Sequence, residues 1–242
     1  MKTTNNTIFI SGGSAGIGLA IAKKLNALGN KIIINGRNKE RLENALLELD
    51  DAIAMQGDLA LEEDRIRIAN ELKNNHPDVN IIINNAGAAF SYLLNETTNA
   101  HEKAIIEMNT NYFAIIHFTE LLLPHLIQKK EAAIINISSI AVYGSHKLLP
   151  TYGASKAALH SYTTALRQTY ENQKNIQVYE VYPPLVNTDF SAEIGGAQGI
   201  PASEVADELV IGLENNLFDI PVGQTKIYAK AIGEAISKLT QN

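Results

Sequence analysis

Thr7-Ile8-Phe9-Ile10-Ser11-Gly12-Gly13-Ser14-Ala15-Gly16-Ile17-Gly18 joins three structural signals in one short run. The apolar residues 7–10 read as a strand, a glycine-rich turn follows, and Leu19, Ile21, Ala22 and Leu25 then recur with helical spacing. A strand, a tight turn and a helix start bring free backbone N–H groups and the positive end of a helix dipole to one point, which suits a pyrophosphate. The spacing Gly12-x-x-x-Gly16-x-Gly18 departs from the Gly-x-Gly-x-x-Gly form, and no Gly-Lys-Ser/Thr follows, so this is not a Walker loop. Taken alone, the turn also fits simple punctuation between two elements.

The alternation continues along the chain. Residues 31–35 read as a second strand, with Asn38 capping a helix through Leu42, Ala45, Leu46 and Leu49. A third strand over 52–56 ends at Gly57-Asp58, and a helix through Ile66, Ala69 and Leu72 leads to a fourth over 79–83. Ala133-Ile134-Ile135-Asn136-Ile137 is a fifth strand, buried on both faces, and 176–181 is a sixth. Ile220-Pro221-Val222 is a weak seventh at the sheet edge, where proline is tolerated. Long helices over 98–129 and 152–172 flank the fifth strand, with Pro124 marking a boundary late in the first. The pattern predicts an α/β fold: a Rossmann-type, doubly wound parallel sheet of about seven strands, helices on both faces, in one domain over 1–242.

Composition bounds the function. The 242 residues suffice for a sizeable single core. With 26 acidic against 20 basic residues, no basic footprint for nucleic acid is present. No apolar run approaches a membrane span of roughly 18 residues, and the polar start 1–6 is unlike a signal peptide, so the expectation is a cytoplasmic protein with no membrane partner. With no cysteine, disulfides and thiol catalysis are excluded. His76, His101, His117, His125, His146 and His160 form no His-Glu-x-x-His pair, and no metal is expected.

Ser139 follows the fifth strand, so it stands at a carboxyl end, where ligands bind in open α/β sheets. Tyr152-Gly153-Ala154-Ser155-Lys156 begins the next helix and places a phenol and an ammonium on one helical face. A free phenol, with a pKa of roughly 10, is a poor acid or base at neutral pH, and a nearby cation favours its ionised form. Alone, that pair also fits a solvated helix face.

Ser11 to Gly18, Asn84-Asn85-Ala86-Gly87, Asn111, Ser139 and Tyr152 to Lys156 together resemble the motif set of the short-chain dehydrogenase/reductase family, in order, from about Thr7 to Thr188. The resemblance implies reversible hydride transfer between a nicotinamide and a carbonyl or alcohol. Tyr152 is then the general acid/base, and Ser139 hydrogen-bonds the reacting oxygen. Lys156 lowers the Tyr152 pKa and holds the nicotinamide ribose, and Asn111 positions a water that passes protons to Lys156. Asn111 fits better than Asn109 because an aromatic pair follows it and Pro124 lies thirteen residues on. The implied cofactor cradle comprises Gly12, Ser14, Gly16, Ile17 and Gly18 at the phosphates, Asp58 and Leu59 at the adenine, and Asn85, Ala86 and Gly87 at the ribose. Pro183, Val186 and Thr188 fall at the nicotinamide, with Pro184 in place of the family's usual glycine, which stiffens that loop. The run Pro183-Pro184-Leu185-Val186-Asn187-Thr188-Asp189 also resembles a bacterial branch named after an oxidoreductase linked to lipoteichoic-acid D-alanylation operons.

Cofactor choice is read after the second strand. A carboxylate there would bind a ribose 2′-hydroxyl and signal NAD(H), whereas Gly36-Arg37-Asn38 offers a cationic fork suited to a 2′-phosphate, favouring NADP(H). The other reading of Arg37 is a solvated turn residue. Ala88, Ala89, Phe90, Ile140, Ala141, Val142, Leu185, Phe190 and Ile194 suggest an apolar pocket for a small neutral carbonyl or alcohol, under a short lid within 188–215. Ile115, Leu122, Ala158 and Leu166 on the two long helices fit either core packing or pairing into a homodimer or homotetramer. Two other activities share parts of this pattern: a redox-inactive dinucleotide-binding regulator and a sugar-nucleotide epimerase or dehydratase.

Overall fold

A computed structural model describes residues 1–240. The strands are β1 (Thr7–Ser11), β2 (Lys31–Gly36), β3 (Ile53–Gln56), β4 (Val79–Asn84), β5 (Ala132–Ile137), β6 (Ile176–Tyr182), β7 (Val186–Asn187), β8 (Ile200–Pro201) and β9 (Asp219–Pro221). The helices are α1 (Gly16–Ala27), α2 (Lys39–Leu46), α3 (Glu62–Asn75), α4 (Ala100–Met108), α5 (Ala114–Leu126), α6 (Tyr152–Tyr170), α7 (Ala202–Glu214) and α8 (Thr225–Thr240).

Among the described residues, seven strands form one parallel sheet in the order β3-β2-β1-β4-β5-β6-β9. The chain moves outward from β1 to β3, then returns to place β4 on the other side of β1. That reversal opens a crevice at the carboxyl ends of β1 and β4, where such sheets take ligands. The weak seventh strand is therefore real, sits at the edge beside β6, and carries Pro221. The short parallel pair β7–β8 had no sequence signal.

Both faces of the sheet are covered, which explains why the strands read as unbroken apolar runs. Ile8, Ile10, Ile32 and Ile34 pack with Ile21 and Leu25 of α1 and with Val205 and Leu209 of α7. Phe9, Ile33, Ile82 and Ile134 pack with Ile68 of α3, Phe118 and Leu122 of α5, and Leu166 of α6. Each such side chain contributes roughly 1.5–3 kcal/mol by leaving water.

Two details of the long helices differ from expectation. The stretch 98–129 is not one helix: a wide π-turn, Asn109–Phe113, separates α4 from α5. Pro124 lies inside the last turn of α5 and marks no boundary. Its missing N–H removes only one bond near the helix end, and α5 runs on to Leu126. Ile115, Leu122 and Leu166 are buried within the monomer, so of their two readings core packing holds. No helix among the described residues is long and apolar enough to cross a membrane.

Candidate active site

The glycine turn is shaped by contact as well as by conformation. Gly12 and Gly16 have φ of 64° and 54°, where a side chain is strained, and a Cβ on Gly18 would lie 2.2 Å from the Gly12 carbonyl oxygen. Asn85 locks the turn to the end of β4, its Nδ2 donating to the carbonyls of Ser11 and Gly12 at 2.9 and 3.2 Å. Ser11 Oγ accepts from the N–H groups of Asn85 and Ala86. The Asn85 side chain is thus committed to the protein, and Asn84 donates to Asn136 Oδ1 at 2.8 Å. At the start of α1, Ala15 supplies no side-chain cap and the first turn holds no acidic residue, leaving orphan N–H groups for an anion.

The loop after β3 is held by bonds to its backbone. Asp58 Oδ1 accepts from the Ala60 N–H at 2.9 Å, and Asn109 and the buried Arg65 both donate to the Ala60 carbonyl. Arg65 also donates to the Leu59 carbonyl, 2.7 Å away. Arg37, 76% exposed at its side chain, stands at the end of β2 with its Nη1 3.5 Å from Asp58 Oδ2.

Ser139, Tyr152 and Lys156 converge at the end of β5. Lys156 Nζ donates to the Ile137 carbonyl at 2.8 Å and lies 5.8 Å from the centre of the Tyr152 ring. Asn111, fully buried, donates from Nδ2 to the Ala88 carbonyl and to Ser155 Oγ, each at 2.8 Å, while its Oδ1 accepts from the Ala88 N–H. Ser155 Oγ in turn donates to the Tyr152 carbonyl. Both amide hydrogens of Asn111 are therefore used in bracing the β4 loop against the Tyr152 helix, leaving none for a water. Asn109 points instead to the adenine loop.

Burial pushes the Tyr152 phenol up to about 12, hydrogen bonding from Ser139 opposes the rise, and the charge of Glu107 adds to it. Burial pushes the Lys156 ammonium down to about 8, opposed by Glu180. Sequence reasoning overlooked Glu107. It is fully buried on α4, accepts from the Phe90 N–H at 2.9 Å, and its carboxyl is itself pushed up by burial. Its signal was a carboxylate four residues before Asn111 on the inward helical face.

Phe190 leans over the cleft with its ring 6.3 Å from that of Tyr152. The 188–215 stretch divides into short 3-10 turns over Asp189–Ile194 and Gly196–Gln198, and α7, whose Val205, Leu209 and Leu213 are core. Thr188 Cγ2 lies 3.2 Å from where a Gly16 Cβ would stand, so the glycine turn and this segment meet. A cavity of about 460 Å³ lies at the opposite, amino end of the sheet among Lys2, Asn6, Asp78 and Lys129, away from these groups.

Known proteins resemble this chain in sequence and in fold. A family model described as short chain dehydrogenase matches residues 6–199. An oxidoreductase of Bacillus subtilis named DltE is 35% identical over 208 residues, covering 86% of this chain and 82% of that protein. Among solved structures, a short chain dehydrogenase of Burkholderia cenocepacia in complex with NADP aligns with a TM-score of 0.85 at 23% identity, covering 99% and 97% of the two chains. Another from Burkholderia phymatum, in complex with NAD, aligns with a TM-score of 0.88 at 19% identity, covering 100% and 97%.

Proposed function

The chain belongs to the short-chain dehydrogenase family, and from that premise we propose that it is an NADP(H)-dependent oxidoreductase interconverting a small neutral carbonyl compound and its alcohol. The observation that carries this reading is the convergence of Ser139, Tyr152 and Lys156 at the end of β5, beside an uncapped helix start at the end of β1.

The cleft fits a nicotinamide dinucleotide. The α1 start and the glycine turn suit its pyrophosphate, Asp58 and Leu59 flank the adenine side, and Val186 and Thr188 stand where the carboxamide would be met. Pro183, whose carbonyl accepts from the Ile140 N–H, ties that loop to the turn after Ser139. When bound, the nicotinamide supplies or accepts the hydride. The protein's residues manage the proton. A buried phenol with a pKa pushed up to about 12 is fully protonated at neutral pH, so Tyr152 is poised as the acid that delivers a proton to the developing alkoxide. The Ser139 hydroxyl donates to the same oxygen. Lys156 holds a positive charge behind the phenol, and a Cβ on Gly87 would stand 3.8 Å from its Nζ, so the glycine leaves room beside the ammonium for a ribose. Asn111 keeps the Tyr152 helix and the β4 loop in register, and Phe190 keeps water from the cleft.

The preference for NADP(H) is supported by Arg37, which follows β2 where a carboxylate would favour NAD(H), and whose exposed guanidinium keeps only a long contact of 3.5 Å with Asp58. An NADPH-consumption screen across aldehydes, diketones, quinones and 3-oxoacyl thioesters tests the activity. Turnover with at least one class is expected, and NADPH binding without turnover on any class would favour a redox-inactive regulator.

A further inference from the structure

Helix α6 turns a polar stripe toward the sheet. Lys156, His160, Thr163 and Arg167 recur at helical spacing, and each meets a polar group of β5 or β6. Lys156 donates to the Ile137 carbonyl, His160 Nδ1 lies 3.0 Å from Glu180 Oε2, Asn136 Nδ2 donates to Thr163 Oγ1, and Arg167 Nε donates to the Val178 carbonyl. Below the stripe, Asn84, Asn136, Glu180 and Asp219 stand in register on four adjacent strands.

Glu180 is the anomalous member of that row. It is fully buried, its Oε2 accepts from the Tyr182 hydroxyl at 3.0 Å beside His160, and its Oε1 has no hydrogen-bond partner. A buried carboxyl with one orphan oxygen is a costly placement, and a buried cation close by offsets the cost. His160 meets Glu180 directly, and Lys156, one helical turn before it on the same stripe and 3% exposed, donates to the Ile137 carbonyl, on the residue paired across the sheet with Val181, next to Glu180. We infer that Glu180, backed by His160, is the buried counter-charge that keeps Lys156 an ammonium in the cleft. The two are positioning residues, and their part in the reaction rests on the role given to Lys156 under the proposed function.

The titratable and charged groups around this point are Tyr152, His160 and Arg167 on α6, Glu180 and Tyr182 on β6, Asp219 on β9, Tyr143 in the turn after Ser139, and Glu107 on α4. Among them, Glu180 favours the Lys156 ammonium against its burial. His160 holds its proton more tightly than a free imidazole, chiefly through its bond to Glu180, with burial opposing. Its side chain is 40% exposed and exchanges protons with solvent. While protonated, His160 cancels much of the Glu180 charge. As pH rises and His160 becomes neutral, the full field of Glu180 falls on Lys156, just as Lys156 nears the loss of its own proton.

The test watches Lys156 directly by carbon NMR on protein labelled at lysine Cε, with its resonance identified by its loss in Lys156→Arg. Glu180→Gln should lower the Lys156 titration midpoint by about one pH unit or more, a tenfold change in proton affinity. A midpoint unchanged in folded Glu180→Gln overturns the inference. If that variant does not fold, His160→Gln carries the test: with the cancelling charge gone the Lys156 midpoint should rise, and an unchanged or lower midpoint overturns the inference. No cofactor or turnover is needed, so this result stands apart from the oxidoreductase reading. NADPH affinity against pH is the second arm, expected to decline earlier in Glu180→Gln by the same displacement. A shifted Lys156 midpoint with an unshifted NADPH profile upholds the counter-charge and counts against Lys156 as the ribose ligand.

Discussion

At the scale of single residues, the site separates groups that do chemistry from groups that hold them. Tyr152 is the proposed proton donor and has no other ionisable side chain placed to substitute for it at the reacting oxygen. Tyr152→Phe should therefore cut turnover by about two to four decades while NADPH affinity stays within a factor of about two. Turnover near that of the wild type would remove Tyr152 from the mechanism. Arg37 makes a different kind of contact. Its ion pair with Asp58 is long and exposed, so it contributes little to the fold. Arg37→Ala should leave the melting temperature and NADH affinity almost unchanged and weaken NADPH by about ten- to a hundredfold. Equal weakening of both cofactors in binding measurements would assign Arg37 to the fold instead. Tyr152, Lys156, Ser139 and the glycines were legible because their chemistry requires given residue types at local spacings. Glu107 and Glu180 were not, because what distinguishes them is burial against partners brought from other elements, which the spacing of Glu107 before Asn111 does not report by itself.

At the scale of elements, the β1–turn–α1 unit was the most legible part of the chain. Its tightest point is Gly18, where a Cβ would clash with the Gly12 carbonyl oxygen and lie 2.5 Å from Asn85 Nδ2. Both obstacles are held by hydrogen bonds and have little room to retreat. Gly18→Ala should cost about 1–3 kcal/mol, lower the melting temperature by several degrees and weaken dinucleotide binding. Gly144→Ala is the control: its φ of 175° is extended and no atom lies within 4 Å of an added Cβ, so its melting curve should overlay the wild type. A Gly18→Ala protein melting like the control would show that the turn has slack. The π-turn between α4 and α5 was invisible for an instructive reason. Its flanks are good helix sequence, but Asn109 and Asn111 bond to Ala60, Ala88 and Ser155, and those tertiary bonds fix a backbone that the local pattern would have left α-helical.

At the scale of the whole molecule, the question is what covers the apolar surface that α4 and the π-turn leave bare. Ile115 and Leu122, which the sequence alone offered equally to a partner or to the core, are core. Ile105 and Ile106 on α4 and Phe113, seven residues on in the π-turn, are instead 53%, 48% and 54% exposed. Single exposed apolar residues are ordinary, but a grouped patch on a firm helix suits burial against a second copy. Two-fold pairing also makes each substitution count twice, since the same residue enters from both copies. The expected mass by light scattering at micromolar concentration is thus roughly twice or four times the 26.3 kDa of one chain. Phe113→Glu should shift that mass toward a single copy without unfolding the monomer, because Phe113 lies outside the core and the change places a charge where each copy would meet its own image. A wild-type mass of one chain, or a Phe113→Glu protein that assembles as before, would place the contact elsewhere or dispense with it.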